Sequence, residues 1–285
     1  MDAVFEKMKW YRNKQGMKVN CRDEIPWLSF PAIEEAGCFC HGFSTRLGGV
    51  STGCYTSMNL SFTRGDDPLS VHENFRRIGA VIGFSPESLV LSDQTHTTNV
   101  RLVGKADCGS GITGPKLFHD VDGMVTDTPG VTLATFYADC VPLFFADPVR
   151  RVIGLSHSGW RGTAGKIGEV TVRRMQEAFG SDPADILCGI GPSVCFDCYE
   201  VSADVAEIFA AMFPDHQENV LYKKENGKYQ LSLWEANRRI LIKAGIRPGH
   251  IETAGLCTSC NPGILYSHRK SGNQRGNLAA FLQIK

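Results

Sequence analysis

Three residues in the middle of the chain have the types that bind a metal ion: His96 in SDQTHT, Cys140 in YADCVPLFF and His157 in GLSHSGWRG. Imidazole and thiolate groups are preferred ligands of a borderline-soft divalent ion such as zinc. Three protein ligands with an open fourth position are typical of catalytic rather than structural zinc. The residue types therefore predict a metal centre that takes part in chemistry.

Two of these residues flank a segment that looks like a β-hairpin. Apolar runs precede and follow the turn-like segment DPVR, and a two-residue loop at Pro148 and Val149 would place Cys140 directly opposite His157. Directly opposed residues have Cβ atoms about 4.5–5.5 Å apart, so one ion could bridge both side chains. Pro142 cannot donate to a β-ladder, which predicts an edge strand or a bulge just after the cysteine.

The same residues allow an interpretation without a metal. Cys140 could be a nucleophile with His157 as its base and an aspartate as the orienting group, because a neighbouring imidazole lowers a thiol pKa. Asp122 in DVDGM and Asp139, next to Cys140, are candidates for a general acid or base, or for partners of the histidines. Asp122 could equally form an Asx turn before Gly123. From the residues alone, Cys140 could be either a metal-bound thiolate or a nucleophilic thiolate.

Polar segments around these residues predict a site for a small anion. The glycine-rich segment STRLGGVSTG carries Ser44 and Arg46, GWRG carries Arg161, and SHRKSGNQRG carries Arg269 and Arg275. Arginine suits bidentate recognition of anions. The alternative is that these arginines are solvated surface residues.

Two CxxC pairs, Cys195 with Cys198 and Cys257 with Cys260, are candidates for a second, four-thiolate zinc site. The pairs lie about sixty residues apart, whereas paired CxxC zinc sites usually have fifteen to twenty residues between them. The spacing therefore favours buried thiols or loop packing. Eleven cysteines in an intracellular chain are expected to be reduced, and an odd total leaves at least one unpaired.

Composition excludes several classes of partner. The 285 residues contain 30 Lys and Arg against 30 Asp and Glu, which argues against a nucleic-acid binder. The charged N-terminus MDAVFEKMKWYRNKQG has no apolar core of a secretory signal, and the most apolar segment is too short to cross a membrane. We expect a cytoplasmic protein that acts on small molecules; the sequence leaves its oligomeric state open.

Short β-rich runs between Gly, Pro and Asp clusters predict many strands. The runs are CFCHGFST, LVLSD, NVRLVG, GVTLATFY, PLFFAD, RVIGLSH, ILCGIG, YQLSL and LAAFLQI. They outnumber the helices and do not alternate with them, which predicts an α+β fold with mixed or antiparallel sheets flanked by helices. No linker divides the chain, so we expect a single catalytic domain over 37–285 after an N-terminal extension over 1–36.

The predicted helices have readable ends. Ser70 and Glu73 form a capping-box pattern before residues at helical spacing, a second helix begins near Gly165, and two more are expected at 203–212 and 233–244. The segment CGIGPS lacks the third glycine of a dinucleotide fingerprint and opens no clear helix. We therefore reject a Rossmann fold.

Taken in order, seven motifs closely resemble the YfiH/YlmD family, also called the laccase-domain, multicopper polyphenol oxidase or peptidoglycan-editing-factor family. The motifs are HGFSTRLGGVSTGCYTSMNLS, DQTH, DVDGMVTD, ADCVPLFF, HSGWRGTAGKI, GPSVCFDCYEV and CTSCNPGILYSHR. The resemblance covers nearly all of the chain from about Gly37 onward. It implies an α+β fold once grouped with putative cysteine hydrolases.

The resemblance also implies a metal site made of His96, Cys140 and His157, which all match the family motifs. Members have been described as zinc-dependent enzymes that phosphorolyse adenosine, inosine, guanosine and methylthioadenosine and deaminate adenosine. Others have been described as polyphenol oxidases, or as hydrolases that remove a wrongly incorporated serine from a peptidoglycan precursor. The chain departs from the family in VCFDCYEV, where many relatives carry Gly-Pro-Cys, so the resemblance assigns no role to Cys195.

The residues help to choose among these activities. Eight histidines without a His-x-His pair argue against a multicopper oxidase, although copper remains a possible ion. Zinc with an open position activates water, which serves deamination, and an anion pocket made of Ser44, Arg46, Arg161 and Arg269 would serve phosphorolysis. Our leading hypothesis is a zinc-dependent purine nucleoside phosphorylase with adenosine deaminase activity. The alternatives are a peptidoglycan-precursor hydrolase that uses the same metal or Cys140, a polyphenol oxidase, and a non-catalytic zinc-binding protein.

Overall fold

The computed structural model describes residues 8–285, except for the side chains of residues 216–218. The strands are β1 (Lys18–Arg22), β2 (Ile25–Ser29), β3 (Phe39–Ser44), β4 (Leu89–Leu91), β5 (Val100–Leu102), β6 (Gly123–Thr126), β7 (Thr132–Tyr137), β8 (Val141–Asp147), β9 (Val152–Ser158), β10 (Leu187–Ile190), β11 (Glu200–Val201), β12 (Leu221–Lys223), β13 (Tyr229–Leu231), β14 (Ile251–Thr253) and β15 (Leu278–Ile284). The α-helices are α1 (Pro31–Glu35), α2 (Pro68–Ile82), α3 (Trp160–Ala164), α4 (Ile167–Phe179), α5 (Ala203–Met212), α6 (Gln217–Val220), α7 (Leu233–Lys243) and α8 (His268–Ser271).

Within the described part of the chain, the strands form two large sheets and one small one. The first large sheet has the order β1-β2-β3-β15-β7-β4, the second has the order β14-β10-β8-β9-β6-β5, and the small sheet is β11-β13-β12. Most neighbours are antiparallel, but β4 with β7, β5 with β6, and β10 with β14 are parallel. The predicted α+β fold with mixed sheets flanked by helices is confirmed.

The two large sheets pack face to face around the main hydrophobic core. Phe43 and Leu282 of the first sheet share a buried cluster with Phe144 and Leu155 of the second. Alternate residues of β8, such as Phe145, point instead toward α4 and α7 on the outer face of the second sheet. Strand β8 is therefore buried on both faces, which explains its continuous apolar sequence.

Helix α2 covers the outer face of the first sheet. Phe75 and Ile78 of this helix lie in a third buried cluster with Phe281 of β15. Burial on both sides of each large sheet produces a four-layer arrangement in which helices enclose two sheets. Within residues 8–285, no helix has the length and apolar composition needed to cross a membrane.

The segment predicted as an N-terminal extension contributes to the first sheet. Strands β1 and β2 form an antiparallel pair, and β2 pairs with β3 through Trp27 opposite Ser44. Residues on either side of position 36 thus share one sheet.

The capping box predicted at Ser70 and Glu73 is not formed. The helix begins one turn earlier, at Pro68, because the Asp67 side chain accepts hydrogen bonds from the backbone N–H groups of Leu69 and Ser70. Aspartate before a first-turn proline is a favourable start for a helix. Glu73 instead pairs with the next-turn arginines of the same helix.

Candidate metal centre

The structure brings together the three residues whose types predicted a metal site. The candidate ligand atoms of His96, Cys140 and His157 all lie within 4.8 Å of one another. The Sγ of Cys140 is 3.8 Å from Nε2 of His96, and the two imidazole rings meet edge to face with centroids 4.8 Å apart. His96 lies in the loop after β4, Cys140 immediately precedes β8, and His157 is near the end of β9. We call these three residues the ligand triad.

The hairpin register predicted for two of these ligands is wrong. Asp147 pairs with Val152, so the loop spans 148–151 rather than two residues, and His157 lies opposite Pro142 instead of Cys140. The sulfur nevertheless reaches His157, since residues on a diagonal across two strands are still within reach of each other. The expected proximity is correct, but its geometric reason is not.

The predicted edge or bulge at Pro142 is also absent from the structure. Strand β8 lies between β10 and β9 in the interior of the second sheet. Pro142 is tolerated because it lies just beyond Leu143 and Ile190, the last residue pair of the ladder between β8 and β10. A proline near the first residue of a strand removes no necessary donor.

The carboxylate of Asp122 holds the segments that carry both histidines. It is fully buried, and Oδ1 is 2.8 Å from Nδ1 of His157 and accepts the backbone N–H of His96 at 3.1 Å. Its Oδ2 accepts the backbone N–H groups of Thr95 and Thr97 at 3.0 and 2.9 Å. Burial alone would raise the pKa of Asp122, but His157 and these N–H groups lower it to about 2. Asp122 is therefore ionised and positions both histidine segments, and its role as a general acid or base stays a prediction.

The same hydrogen bond determines which nitrogen of His157 is free. With Nδ1 directed at Asp122, Nε2 is directed toward the cysteine sulfur, as expected for a histidine ligand held by a carboxylate. Burial alone would raise the pKa of Cys140, but His157 and His96 lower it to about 6. Burial alone would lower the pKa of His157, but Cys140 and Asp122 raise it to about 9. The cysteine therefore presents a thiolate at neutral pH, which is the form that binds metal ions.

The space between the ligand atoms is kept open by a glycine. A Cβ atom at Gly159 would lie 2.9 Å from Cδ2 of His96 and 3.0 Å from Sγ of Cys140. Contacts this short are not tolerated, so any side chain at position 159 would displace a ligand. Two imidazole nitrogens and one thiolate converging on a space without a side chain fit a metal ion.

The ligand triad lines a cleft of about 380 Å³. This volume lies within the range of small-molecule pockets, roughly 300–1,000 Å³. Phe62 and Phe136 contribute aromatic surface to the cleft, and Ser92 and Asn277 contribute polar groups. The cleft therefore combines flat apolar surface with hydrogen-bonding groups next to the candidate metal site.

Two arginines, Arg64 and Arg275, line the same cleft with incompletely paired guanidinium groups. The Nε atoms of both are buried without a hydrogen-bond partner. Arg64 donates to the carbonyl of Asn273 at 2.8 Å, and Arg275 donates to Gly276 O at 3.1 Å and to Asn277 Oδ1. Burial and the neighbouring Arg64 lower the pKa of Arg275 to about 10.

Among the side chains that the structure describes, no ion pair involves either of these arginines. Both side chains are only partly buried, but an N–H donor that loses its contact with water is destabilising unless another group accepts from it. Two adjacent cations with unused N–H donors are therefore suited to bind an anion in the cleft.

The structure places two predicted anion-binding residues elsewhere. Ser44 is fully buried in β3, and its Oγ accepts the backbone N–H of Ala279 at 2.9 Å. Arg46 donates to the carbonyl oxygens of Thr56 at 2.9 Å and Pro262 at 2.8 Å. Neither is among the residues that line the cleft. In the structure Ser44 and Arg46 stabilise loops and strands, and anion binding by either residue stays a prediction.

Arg161 and Arg269 lie on another side of the triad, around Tyr199. Arg161 is exposed and lies over the ring of Trp160 at 4.3 Å, and Arg269 donates to the carbonyl of Glu200 at 3.0 Å while its guanidinium lies 5.3 Å from the Tyr199 ring. Burial and the nearby Cys140 raise the pKa of Tyr199 to about 12. The cleft residues do not include these two arginines, and substrate binding by them stays a prediction.

Asp139, predicted as an acid or base, is engaged on both carboxylate oxygens. Oδ1 accepts the hydroxyl of Thr258 at 2.6 Å, and Oδ2 accepts the backbone N–H of Arg269 at 2.5 Å. Its backbone has a φ of 98°, which is unusual for a residue other than glycine. The arrangement indicates a residue that fixes the turn leading into Cys140.

Sequence reasoning missed Arg64 and the role of Gln94. Gln94 pairs with the backbone of Phe136, accepting its N–H at 2.6 Å and donating to its carbonyl at 2.8 Å, which fixes the His96 loop to β7. The position of Gln94 in DQTH, two residues before a candidate ligand, is a signal that was available. Arg64 lies just after the motif HGFSTRLGGVSTGCYTSMNLS but about thirty residues from DQTH in sequence, and only the fold brings it to the cleft.

Comparison with known proteins assigns the chain to a family. A family model described as multi-copper polyphenol oxidoreductase laccase matches residues 40–285. The chain belongs to this family. The resemblance that the motifs indicated is thereby confirmed, and the match begins within β3.

Individual relatives match this chain along most of their length. Purine nucleoside phosphorylase YlmD of Bacillus subtilis is 36% identical over 248 residues, which cover 86% of this chain and 88% of the relative. Adenosine deaminase RL5, from an unknown prokaryotic organism, is 31% identical over 236 residues, which cover 82% of this chain and 90% of RL5. The crystal structure of the Bacillus licheniformis hypothetical protein YfiH superimposes with a TM-score of 0.87 at 33% identity, covering 94% of this chain and 99% of that protein.

Proposed function

We propose that the chain is a zinc-dependent purine nucleoside phosphorylase that also deaminates adenosine. The observation that carries this proposal is that the ligand triad and two partly buried arginines, each with a buried Nε–H that has no partner, line one cleft. Phosphorolysis needs a bound phosphate near the nucleoside, and these arginines supply the charge for it. Two relatives are a purine nucleoside phosphorylase and an adenosine deaminase, which supports both activities.

The donor set favours zinc as the ion. His96, Cys140 and His157 offer two imidazoles and one thiolate, and a zinc ion held by these three would have its fourth position free for substrate or water. When bound, zinc supplies a Lewis acid that polarises a substrate oxygen or a water molecule. Within the described residues, the groups of three or more candidate ligands are this triad and a four-cysteine cluster. A multicopper oxidase would need further histidine-rich centres, and His41, for example, is buried in the core with Nε2 accepting the Phe30 N–H.

The chain's own residues have separate roles in phosphorolysis. An oxygen of hydrogen phosphate bonds to C1′ of the ribose while the bond from C1′ to the base nitrogen breaks, and the proton of the phosphate goes to the leaving base. Arg64 and Arg275 bind the phosphate, since charge-assisted N–H groups hold anionic oxygens strongly. Phe62 and Phe136 offer aromatic surface for the purine ring. Asp122 keeps the two histidines oriented throughout.

Deamination uses the same cleft without phosphate. Water adds its oxygen to the amine-bearing ring carbon of adenosine, the amino group leaves as ammonia, and inosine remains. The two reactions place different atoms of the nucleoside at the triad. The cleft of about 380 Å³ has room for the substrate in either orientation, and phosphate bound at the arginines would favour the phosphorolytic one.

A nucleoside panel tests the proposal. Zinc-loaded protein is incubated with adenosine, inosine, guanosine and methylthioadenosine, each with and without phosphate, and the products are separated and quantified. We expect free base and sugar 1-phosphate in the phosphate samples alone, and inosine with ammonia from adenosine in both. If zinc-loaded protein releases no base from any nucleoside, the proposal fails, and peptidoglycan precursors and phenols become the next substrates to try.

A further inference from the structure

Four cysteines that the proposed function does not use meet at one place in the fold. The sulfur atoms of Cys195, Cys198, Cys257 and Cys260 all lie within 4.8 Å of one another, and those of Cys198 and Cys260 are 3.5 Å apart. Cys195 and Cys257 are buried, and the other two are partly exposed. We call this group the four-cysteine cluster.

The fold explains why two distant CxxC pairs meet. One pair follows β10 and the other follows β14, and these strands are parallel neighbours. Parallel strands end at the same edge of a sheet, so the loops that follow them lie side by side. A bridge between Ser193 and Cys257, with the Thr258 N–H donating to the Ser193 carbonyl at 3.1 Å, holds the loops together. The long spacing that argued against a metal site is taken up by the helices and the small sheet between β10 and β14.

Backbone N–H groups face the sulfur atoms of the cluster. The N–H of Cys195 donates to Sγ of Cys257 at 3.2 Å. The N–H groups of Cys198 and Cys260 face the sulfurs of Cys195 and Cys257, three residues earlier in each pair. Each CxxC segment is thus folded around its own first sulfur, and hydrogen bonds of this kind stabilise thiolates.

We infer that the four-cysteine cluster binds a structural zinc ion through four thiolates. Zinc–sulfur bonds of about 2.3 Å in a tetrahedron place the sulfurs about 3.8 Å apart. The observed sulfurs are 3.5 Å apart in one pair and within 4.8 Å in every pair, so side-chain movements of about 1 Å or less would close the site around an ion. A disulfide needs sulfurs about 2.05 Å apart, whereas even the 3.5 Å pair is well beyond it and all four cysteines are free.

The cluster also contacts the turn that carries the catalytic candidate Cys140. Val194, next to Cys195, donates its N–H to the carbonyl of Asp139 at 3.0 Å. Thr258, next to Cys257, donates its hydroxyl to the Asp139 carboxylate at 2.6 Å. A metal that fixes both cysteine loops would therefore fix Asp139 from two sides and position Cys140.

Metal content of the full-length protein tests the inference. We expect about two zinc ions per chain in the wild type, about one in the double variant Cys198→Ser with Cys260→Ser, and about one in His96→Ala. The exposed Cys54 lies outside both groups, so Cys54→Ser is the matched control and should hold about two. Cobalt loaded into His96→Ala should give the intense charge-transfer absorption of a tetrathiolate site.

Two further measurements keep the inference falsifiable if the double variant does not fold. The wild-type protein is titrated with a mercurial thiol reagent while a chromogenic chelator reports released zinc, and its free thiols are counted after denaturation in chelator. The inference is supported if the thiol reagent releases a second zinc ion and the denatured protein has all eleven thiols free. About one zinc per chain in the wild type, or a thiol count lowered by disulfides in the cluster, overturns it.

Discussion

The carboxylate of Asp122 lies 2.8 Å from Nδ1 of His157, and both residues are buried. The same carboxylate accepts the backbone N–H of His96. One ionised side chain therefore sets the ring orientation of one candidate ligand and the backbone position of another. The preorganisation of the triad depends on this contact more than on any strand register.

Replacing Asp122 with asparagine should weaken zinc binding at the triad by about 10–100-fold, the usual effect of removing a group that orients a metal ligand. The amide would no longer favour the His157 tautomer that directs Nε2 at the metal. Competition with a chelator of known affinity measures the change. Asp120→Asn, at an exposed neighbouring residue, is the control and should bind zinc as the wild type does. Equal zinc affinity in Asp122→Asn and the wild type would contradict this role.

Cys140→Asp separates a metal ligand from a nucleophile. A carboxylate also binds zinc, but it cannot replace a nucleophilic thiolate. We expect the variant to retain some zinc at the triad and measurable turnover, whereas Cys140→Ala should lose about one zinc per chain and nearly all activity. A Cys140→Asp protein that holds its zinc but is completely inactive would instead support Cys140 as the nucleophile.

Arg64→Ala and Arg275→Ala should each raise the KM for phosphate with a smaller effect on nucleoside binding. Losing a charged hydrogen-bond partner costs about 1.5–3 kcal/mol, or roughly 10–150-fold. Initial rates measured at varied phosphate and fixed inosine concentrations give the KM for phosphate. Arg76→Ala, on the exposed face of α2, is the control. If both cleft variants keep the wild-type phosphate KM, the anion binds elsewhere, and Arg161 and Arg269 are the next candidates.

Because His41 is buried in the core, we expect the free energy of unfolding to fall at acid pH. Burial lowers its pKa from 6.5 to about 4, and its ring lies between Phe30 and Phe144 with Nε2 accepting a backbone N–H at 2.8 Å. Below pH 6.5 the unfolded chain takes up a proton that the folded protein does not, so the free energy of unfolding falls until about pH 4. The total loss is about 3 kcal/mol.

Chemical denaturation at several pH values, in the wild type and in His41→Gln, measures this contribution. Glutamine can accept the Phe30 N–H but does not titrate, so the variant should lose less stability between pH 6.5 and 4. His119→Gln, at an exposed histidine, should behave like the wild type. An identical pH dependence in His41→Gln would show that His41 is not the titrating group.

The sequence predicted the ligand triad and most secondary-structure elements because the residue types and periodic patterns that indicate them are local. Strands such as β7 and β15 and helices such as α5 have periodic patterns that end at the predicted residues. The β8–β9 register failed for a local reason as well. Asp147 Oδ1 accepts the N–H groups of Val149 and Arg150, and Arg151 has a φ of 55°, which lengthens the loop by two residues.

The proposed anion site and the four-cysteine cluster depend on tertiary structure. Arg64 and Arg275 are more than two hundred residues apart, and their shared cleft follows from the pairing of β3 and β7 with β15. The CxxC pairs meet because β10 and β14 are parallel neighbours, which spacing alone does not reveal. Ser44 and Arg46, by contrast, lie in a glycine-rich segment whose polar side chains form hydrogen bonds with backbone groups of neighbouring segments.

The most direct test of the account is the formation of ribose 1-phosphate from inosine and phosphate by wild-type protein and by His96→Ala, with zinc measured in each sample. We predict that the wild type forms hypoxanthine and ribose 1-phosphate in equal amounts, and that His96→Ala loses zinc from the triad and forms neither while remaining folded. Wild-type rates in a His96→Ala protein that lacks this zinc would contradict a catalytic metal centre at His96, Cys140 and His157.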